Sequence, residues 1–177
     1  GEGAAWNINR VPNDFSFGEI EPNWDRLAPY LEDAMRRVPR SLEVGAKKFF
    51  CGPESFTPDN GPVVGEAPEL RNYFVAAGMN SIGILTGGGV GRAVAQWIKT
   101  GIPDVDVTGM NVDRFHAFHS TPSFRKARVA ESLGDVYKCH YPYKVKKTAR
   151  GVKRTPLYQP LSDAGAVFRD VSGWECA

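Results

Sequence analysis

Asn72-Tyr73-Phe74-Val75-Ala76-Ala77 runs straight into Gly78-Met79-Asn80-Ser81-Ile82-Gly83-Ile84-Leu85-Thr86-Gly87-Gly88-Gly89-Val90-Gly91. The first six residues are aromatic, β-branched and small, and continuous enough in apolarity to predict a buried strand. After the glycines, Val90, Val94, Trp97 and Ile98 share one side of a helix that runs to Thr100, with Gly101 as its stop. Strand, glycine-rich turn and helix in that order predict an α/β unit, here an α+β arrangement. Glycines let a backbone approach a flat or anionic ligand, because no Cβ intervenes. A helix start adds free N–H groups and the positive end of its dipole, worth about 0.3–1 kcal/mol when exposed. The other reading is that Gly87 to Gly91 serve only tight strand–helix packing.

Two phosphate-binding patterns are missing from this turn. Three residues after Gly89 stands Arg92 and three after Gly91 stands Val94, so Gly-x-Gly-x-x-Gly is not satisfied. No Gly-Lys-Ser/Thr follows either. A bound dinucleotide would therefore have its pyrophosphate held elsewhere, with this turn facing the ring system.

Upstream, Leu27, Leu31, Met35 and Val38 recur at helical spacing, which predicts a helix over Trp24 to Val38. Asn23 is its expected cap, Pro39 follows its end, and Pro29 is expected within about the first turn. The stretch to Glu21 reads as loop with a short strand near Phe15. Lys48 to Cys51 and Pro62 to Gly65 read as strands, separated by a tight turn at Asn60-Gly61. Asp59 and Glu66 fit turn residues better than an acid/base pair. Downstream, Pro103 to Arg114 reads as loop and Pro122 to Val136 as a helix opened by Thr121 and Pro122. A short helical stretch to Ala164 and a strand at Ala166 to Phe168 complete the expected elements.

Composition bounds the function classes. With 42% hydrophobic and 24% charged residues in 177, the chain fits a globular domain rather than a disordered one. No apolar run approaches the roughly 20 residues of a membrane helix, so no membrane partner is expected. Cys51, Cys139 and Cys176 are widely spaced and odd in number, unlike a disulfide framework. From Lys138 to Arg154 the cations Lys138, Lys144, Lys146, Lys147, Arg150, Lys153 and Arg154 meet no acid. That block reads as a solvated connecting segment; attraction for phosphate is the alternative. No nucleic-acid motif accompanies it, and no nucleic-acid partner is expected. His116 and His119 could share a helical face, but Asp113 is the nearby acid and no metal site is expected.

Gly52-Pro53-Glu54-Ser55-Phe56-Thr57-Pro58-Asp59 and Val64-Gly65-Glu66-Ala67-Pro68 resemble a signature of the FAD-dependent dimethylglycine/sarcosine dehydrogenase family. The resemblance extends through Leu70 to Gly78, the glycine run, Trp97-Ile98-Lys99-Thr100-Gly101, Arg114-Phe115, Arg154-Thr155-Pro156-Leu157-Tyr158 and Gly173-Trp174-Glu175. It implies an internal fragment. Residues 1–113 would be the C-terminal portion of an amino-acid-oxidase-type FAD domain, and 114–153 a connecting domain. Residues 154–177 would start an aminomethyltransferase-like, folate-binding domain. The implied chemistry is oxidation of an N-methylglycine, sarcosine or dimethylglycine, by hydride transfer to FAD, with tetrahydrofolate accepting the one-carbon unit. Ser81, Ile82, Gly83, Ile84, Leu85 and Thr86 would lie against the flavin ring. Gly87, Gly88 and Gly89 would open the helix that stabilises negative charge at the pyrimidine end of reduced flavin. The family's nucleotide fingerprint and flavin-linked histidine would precede Gly1, leaving no catalytic residue to assign here. Leu85 stands where related monomeric sarcosine oxidases place a lysine for the substrate carboxylate, so substrate contacts do not carry over.

The family includes the regulatory subunit of pyruvate dehydrogenase phosphatase, which regulates rather than oxidises and would pair with the phosphatase catalytic subunit. Cys51-Gly52-Pro53-Glu54-Ser55 and Ala77-Gly78-Met79-Asn80-Ser81 resemble that member most; Gly165-Ala166-Val167-Phe168 and Gly173-Trp174-Glu175 resemble the dehydrogenases. Either membership implies the mitochondrial matrix.

Overall fold

The computed structural model describes Trp6 and residues 10–136, 138–142 and 144–177; the expectations for the first nine residues other than Trp6 lie outside it. The chain forms two compact units, one of Arg10–Glu54 and one containing Ser55–Ala177.

In the smaller unit, helix α1 spans Trp24–Arg37. The Asn23 side chain accepts the Arg26 N–H at 3.0 Å, as the expected cap should. Leu27, Leu31 and Met35 form its half-buried row, four residues apart on one face. Pro29 lies deeper than the first turn, inside the helix. A 3-10 turn at Pro39–Glu43 follows. Lys48 to Cys51 forms no strand. Its ladder reduces to one bond, Ile20 N–H to the Cys51 carbonyl at 2.7 Å, and one bond does not hold a strand. The region of Phe15 is a turn closed onto Pro12, not a strand, and Phe17 has φ of 50°.

In the larger unit, strands β1 (Val63–Glu66) and β2 (Phe74–Ala77) pair antiparallel with Val64 opposite Ala76. Asn60, with φ of 62°, makes the tight turn before β1. Val64 is buried and its N–H reaches the Met110 carbonyl at 2.8 Å. β2 is only half-buried at Phe74 and Val75 and exposed at Ala76 and Ala77, so it is a hairpin strand rather than a buried central one.

Helix α2 spans Gly83–Thr100 and ends at Gly101 in the left-handed conformation. The glycine run is therefore not a turn before the helix but part of its interior. The turn is earlier, at Gly78, Asn80 and Ser81, whose φ values are 65°, 48° and 71°. Val90, Ala93, Val94 and Trp97 form the inward face, while Ile98 stays exposed, contrary to the spacing-based expectation. Trp97 meets the Phe74 ring edge-on at 6.0 Å between centroids. It also lies over Gly65, where a Cβ would come within 2.8 Å of the indole and φ is 124°. Only glycine permits that approach.

Helix α3 (Pro122–Asp135) starts with Pro122 as expected, although Thr121 turns its hydroxyl back to the Phe118 carbonyl at 2.8 Å instead of capping the helix. Helix α4 is Tyr158–Asp163. Strands β3 (Arg169–Val171) and β4 (Trp174–Cys176) pair antiparallel. β3 begins after the expected Ala166 to Phe168, because the left-handed turn at Ser172-Gly173 fixes the register from its other end. Helices and two separate antiparallel hairpins make the architecture α+β. No helix among the described residues is long and apolar enough to cross a membrane.

The basic block is solvated only in part: Lys138, Lys147 and Arg154 are exposed. Lys144, Lys146 and Arg150 are half-buried. Lys144 and Lys146 (at 3.0 Å) both bind Asp135, a buried residue on α3. Arg150 binds Glu175, buried on β4, through Nε at 2.9 Å. The acids missing from the block come from neighbouring elements, and burial of each carboxylate requires its cation.

Candidate functional site

The helix start on which the sequence converges is built from β2 outward. Residues 78–82 carry the chain from strand to helix with three left-handed positions, two of them at residues other than glycine. Asn and Asp tolerate that region better than most residues because the short polar side chain hydrogen-bonds locally. Asn80 does so here. It is buried, and its Nδ2 donates to the Gly78 carbonyl at 2.6 Å and to Thr57 Oγ1 at 3.1 Å. Its Oδ1 accepts the Thr57 N–H at 2.8 Å.

Gly83 opens α2, and no side chain caps that start. Thr86 N–H makes a helical bond to the Ile82 carbonyl at 2.9 Å, and the Thr86 hydroxyl donates to the same oxygen. The amides of Gly83, Ile84 and Leu85 precede that first bond and point out of the helix end. Ser81, Ile82, Ile84 and Leu85 are exposed, Ile84 and Leu85 by 105% and 84%. A Cβ added at Gly87, Gly88, Gly89 or Gly91 would meet nothing within 4 Å. Of the nine expected residues, Ser81 and Ile82 precede α2 and Gly83 to Gly89 form its first two turns. The structure moves Gly87, Gly88 and Gly89 from the helix start into its second turn, leaving the dipole end at Gly83. The surface offers amides, bare backbone and two apolar side chains, which suits a flat ring with an electron-rich edge.

Thr57 belongs to a loop fixed from several sides. Its hydroxyl donates to the Gly61 carbonyl at 2.9 Å. Arg114 binds Asp59 at 2.7 Å and the Gly61, Met110 and Asn111 carbonyls. Ser132, fully buried on α3, donates to the Pro58 carbonyl at 2.5 Å, and Asn60 Nδ2 donates to the Ser132 carbonyl at 2.7 Å. Burial raises the Asp59 carboxyl, but Arg114 and the Gly61 N–H outweigh it and hold it below the ordinary aspartate value. Asp59 acts as a turn residue, while Glu66 ends β1 and accepts the Asn72 N–H at 2.6 Å.

His116 precedes and His119 lies within a 3-10 turn, Ala117–Ser120, with their rings stacked at 5.9 Å and His119 Nδ1 accepting the His116 N–H. Burial pushes the His119 imidazole pKa down. Among the described residues, no group of three or more His, Cys, Asp or Glu is placed to hold a metal ion.

Two things escaped the sequence. The Asn80–Thr57 pair lies 23 residues apart and has no periodic signature. The carboxylate partners of the basic block, Asp135 and Glu175, lie on a helix and a strand whose proximity only the fold supplies. An asparagine followed by serine beyond a strand-ending glycine was the available hint of a left-handed turn.

Residues 4–97 match the family model described as FAD dependent oxidoreductase, and residues 100–155 match the FAD dependent oxidoreductase central domain. The chain belongs to the FAD dependent oxidoreductase family. Its relatives include the mitochondrial sarcosine dehydrogenase of Homo sapiens, 39% identical over 93% of this chain and 18% of that protein. The 4-methylaminobutanoate oxidase (formaldehyde-forming) of Paenarthrobacter nicotinovorans is also 39% identical, over 99% of this chain and 21% of that protein. The mitochondrial pyruvate dehydrogenase phosphatase regulatory subunit of Mus musculus is 34% identical over 92% of this chain and 19% of that protein. The chain spans about a fifth of the length of these relatives.

Proposed function

We propose that this chain is a segment of a flavoprotein dehydrogenase that oxidises an N-methylglycine, sarcosine or dimethylglycine, with FAD as acceptor and tetrahydrofolate taking the one-carbon unit. The observation that carries the reading is the open start of α2, free of side-chain capping and lined by bare glycine backbone, in a chain 39% identical to a sarcosine dehydrogenase. FAD supplies a hydride acceptor. This chain's part is to bind and orient one edge of the ring. Ser81, Ile82, Gly83, Ile84, Leu85 and Thr86 form the contact, the amides of Gly83 to Leu85 bias it electrostatically, and Gly87, Gly88 and Gly89 let it approach the helix. Ile84 and Leu85 exclude water from that edge. The phosphates need donors that Gly87 to Gly91 do not provide in either phosphate-binding pattern.

The division proposed for the chain is an FAD-domain portion at 1–113, a connecting domain at 114–153 and the start of a folate-binding domain at 154–177. A mitochondrial matrix location follows from the mitochondrial relatives. The second reading is a non-catalytic regulatory subunit that pairs with the catalytic subunit of pyruvate dehydrogenase phosphatase. The 34% identity to such a subunit and the apolar Leu85, which cannot pair with a substrate carboxylate, favour it.

The test is the visible absorbance of the full-length protein, before and after sarcosine or dimethylglycine is added without oxygen. Bleached flavin bands establish the dehydrogenase. Unbleached flavin, or none, overturns that reading and favours the regulatory one.

A further inference from the structure

We propose that Asn80 is a positioning residue for the flavin: its bonds to Thr57 fix the left-handed Asn80-Ser81 step that presents the first turn of α2. The inference rests on the reading above, in which Ser81 to Thr86 face the ring.

Two adjacent residues other than glycine, at φ of 48° and 71°, form a costly connection. Such a conformation costs about 1–3 kcal/mol per residue and persists where the surroundings over-determine it. Asn80 supplies that determination. Both hydrogens of its amide and its carbonyl oxygen have partners at 3.1 Å or less, on Thr57 and Gly78. Thr57 in turn cannot drift, because the loop from Pro58 to Gly61 is tied to Arg114 and to Ser132 of α3. The position of Gly83 to Leu85 is thus referred to Arg114 and Ser132, distant in sequence, rather than to β2 alone. Without the Asn80 amide, the connection relaxes toward ordinary φ values and the helix end turns away from the ring.

The side chain's hydrogen bonds go to Thr57 and Gly78, so it acts through the segment it holds. Asn80→Gly separates strain from bonding, since glycine accepts φ of 48° freely but provides no amide. Thr57→Val removes the hydroxyl from the same pair and keeps the backbone donor, so either variant carries the test if the other fails to fold.

The experiment measures the flavin midpoint potential of the full-length holoprotein and its turnover with sarcosine or dimethylglycine. With FAD still bound one to one, both variants are expected to shift the potential negative. They should also lower kcat roughly threefold to tenfold, the range for one hydrogen bond's worth of misplacement, with KM within about twofold. Hydrogen exchange at residues 81–86 of the flavin-free protein is expected to quicken in both. Full FAD occupancy with an unchanged potential in both variants overturns the proposal. Leu85→Ser distinguishes this from failure of the underlying reading. A flavin perturbed by Leu85→Ser but not by Asn80→Gly sinks the positioning role alone. A flavin indifferent to both, or a full-length protein that binds none, sinks both.

Discussion

Asp135 is buried to 1% exposure, yet it carries a charge, because Lys144 and Lys146 both reach it and Ser132 shares the Lys146 ammonium at 3.0 Å. Burial pushes its carboxyl up; the two lysines push it down further, and the balance lies below the ordinary aspartate value. Glu175 follows the same rule, held low by Arg150 and helped by the Gly151 N–H. For both, the unfolded chain binds the proton more readily. Their stabilisation is therefore complete above the unfolded value of about pH 4 and is lost as pH falls through the folded one. The thermal midpoint should fall as pH drops below about 4. Asp135→Asn should flatten that slope and cost about 1–3 kcal/mol at pH 7, because it strands two partly buried ammonium groups. An unchanged slope in the variant would show that the carboxylate is not the titrating group. Arg128 and Asp170 give a second test, paired at 2.7 Å with both side chains 8% exposed. Arg128→Met leaves a buried carboxylate that keeps the Gly173 N–H but loses its cation, and about 3–5 kcal/mol should be lost. Adding Asp170→Leu should recover much of it, and urea unfolding of both variants decides.

At the scale of elements, α2 shows where local propensity and structure part. Its C-terminal half was legible because Val90, Val94 and Trp97 keep helical spacing and Gly101 ends it. Its first half was not, because glycine disfavours helix and the run Gly87 to Gly89 reads as a break. Packing of the inward face on β1 and β2 carries the helix through those glycines. The same limit applies to β3, too short for its alternation to set a boundary, and to Lys48 to Cys51, apolar but without a ladder. Glycine inside a helix costs roughly 0.5–1 kcal/mol relative to alanine. Since a Cβ at Gly87, Gly88 or Gly89 meets nothing within 4 Å in this chain, alanine at each should stabilise the chain by about that amount. In the full-length holoprotein the same substitutions should weaken FAD binding, if that face receives the ring. Thermal denaturation of the chain and flavin titration of the full-length variants should move in opposite directions. Stabilisation in both settings would mean that nothing lies close against the glycines.

For the molecule as a whole, the balance of burial decides what the chain can do by itself. Among the described residues the buried apolar side chains are those of Val64, Ala93, Val107 and Phe124, and they are accompanied by buried Thr57, Asn80, Arg128, Ser132, Asp135 and Glu175. The larger unit is therefore held as much by directed polar contacts as by an apolar core, while Ile84 and Leu85 stand in solvent at the start of α2. That distribution could not be read from composition, because each polar partner comes from a different segment and sequence spacing does not report it. It also bears on affinity. One edge of a ring against a helix start offers a few amides and two apolar side chains, whereas most contacts to a dinucleotide are made along its phosphates and adenosine. The Gly-x-Gly-x-x-Gly and Gly-Lys-Ser/Thr patterns are absent from the glycine run. Each good contact is worth about 1 kcal/mol, and micromolar binding needs about 8 kcal/mol after the cost of immobilising the ligand. The isolated chain should therefore bind FAD more weakly than micromolar, and a fluorescence titration of flavin with the chain should show no saturation in that range. Saturation at micromolar concentration or below would place the whole dinucleotide site within these residues and overturn the division proposed for them.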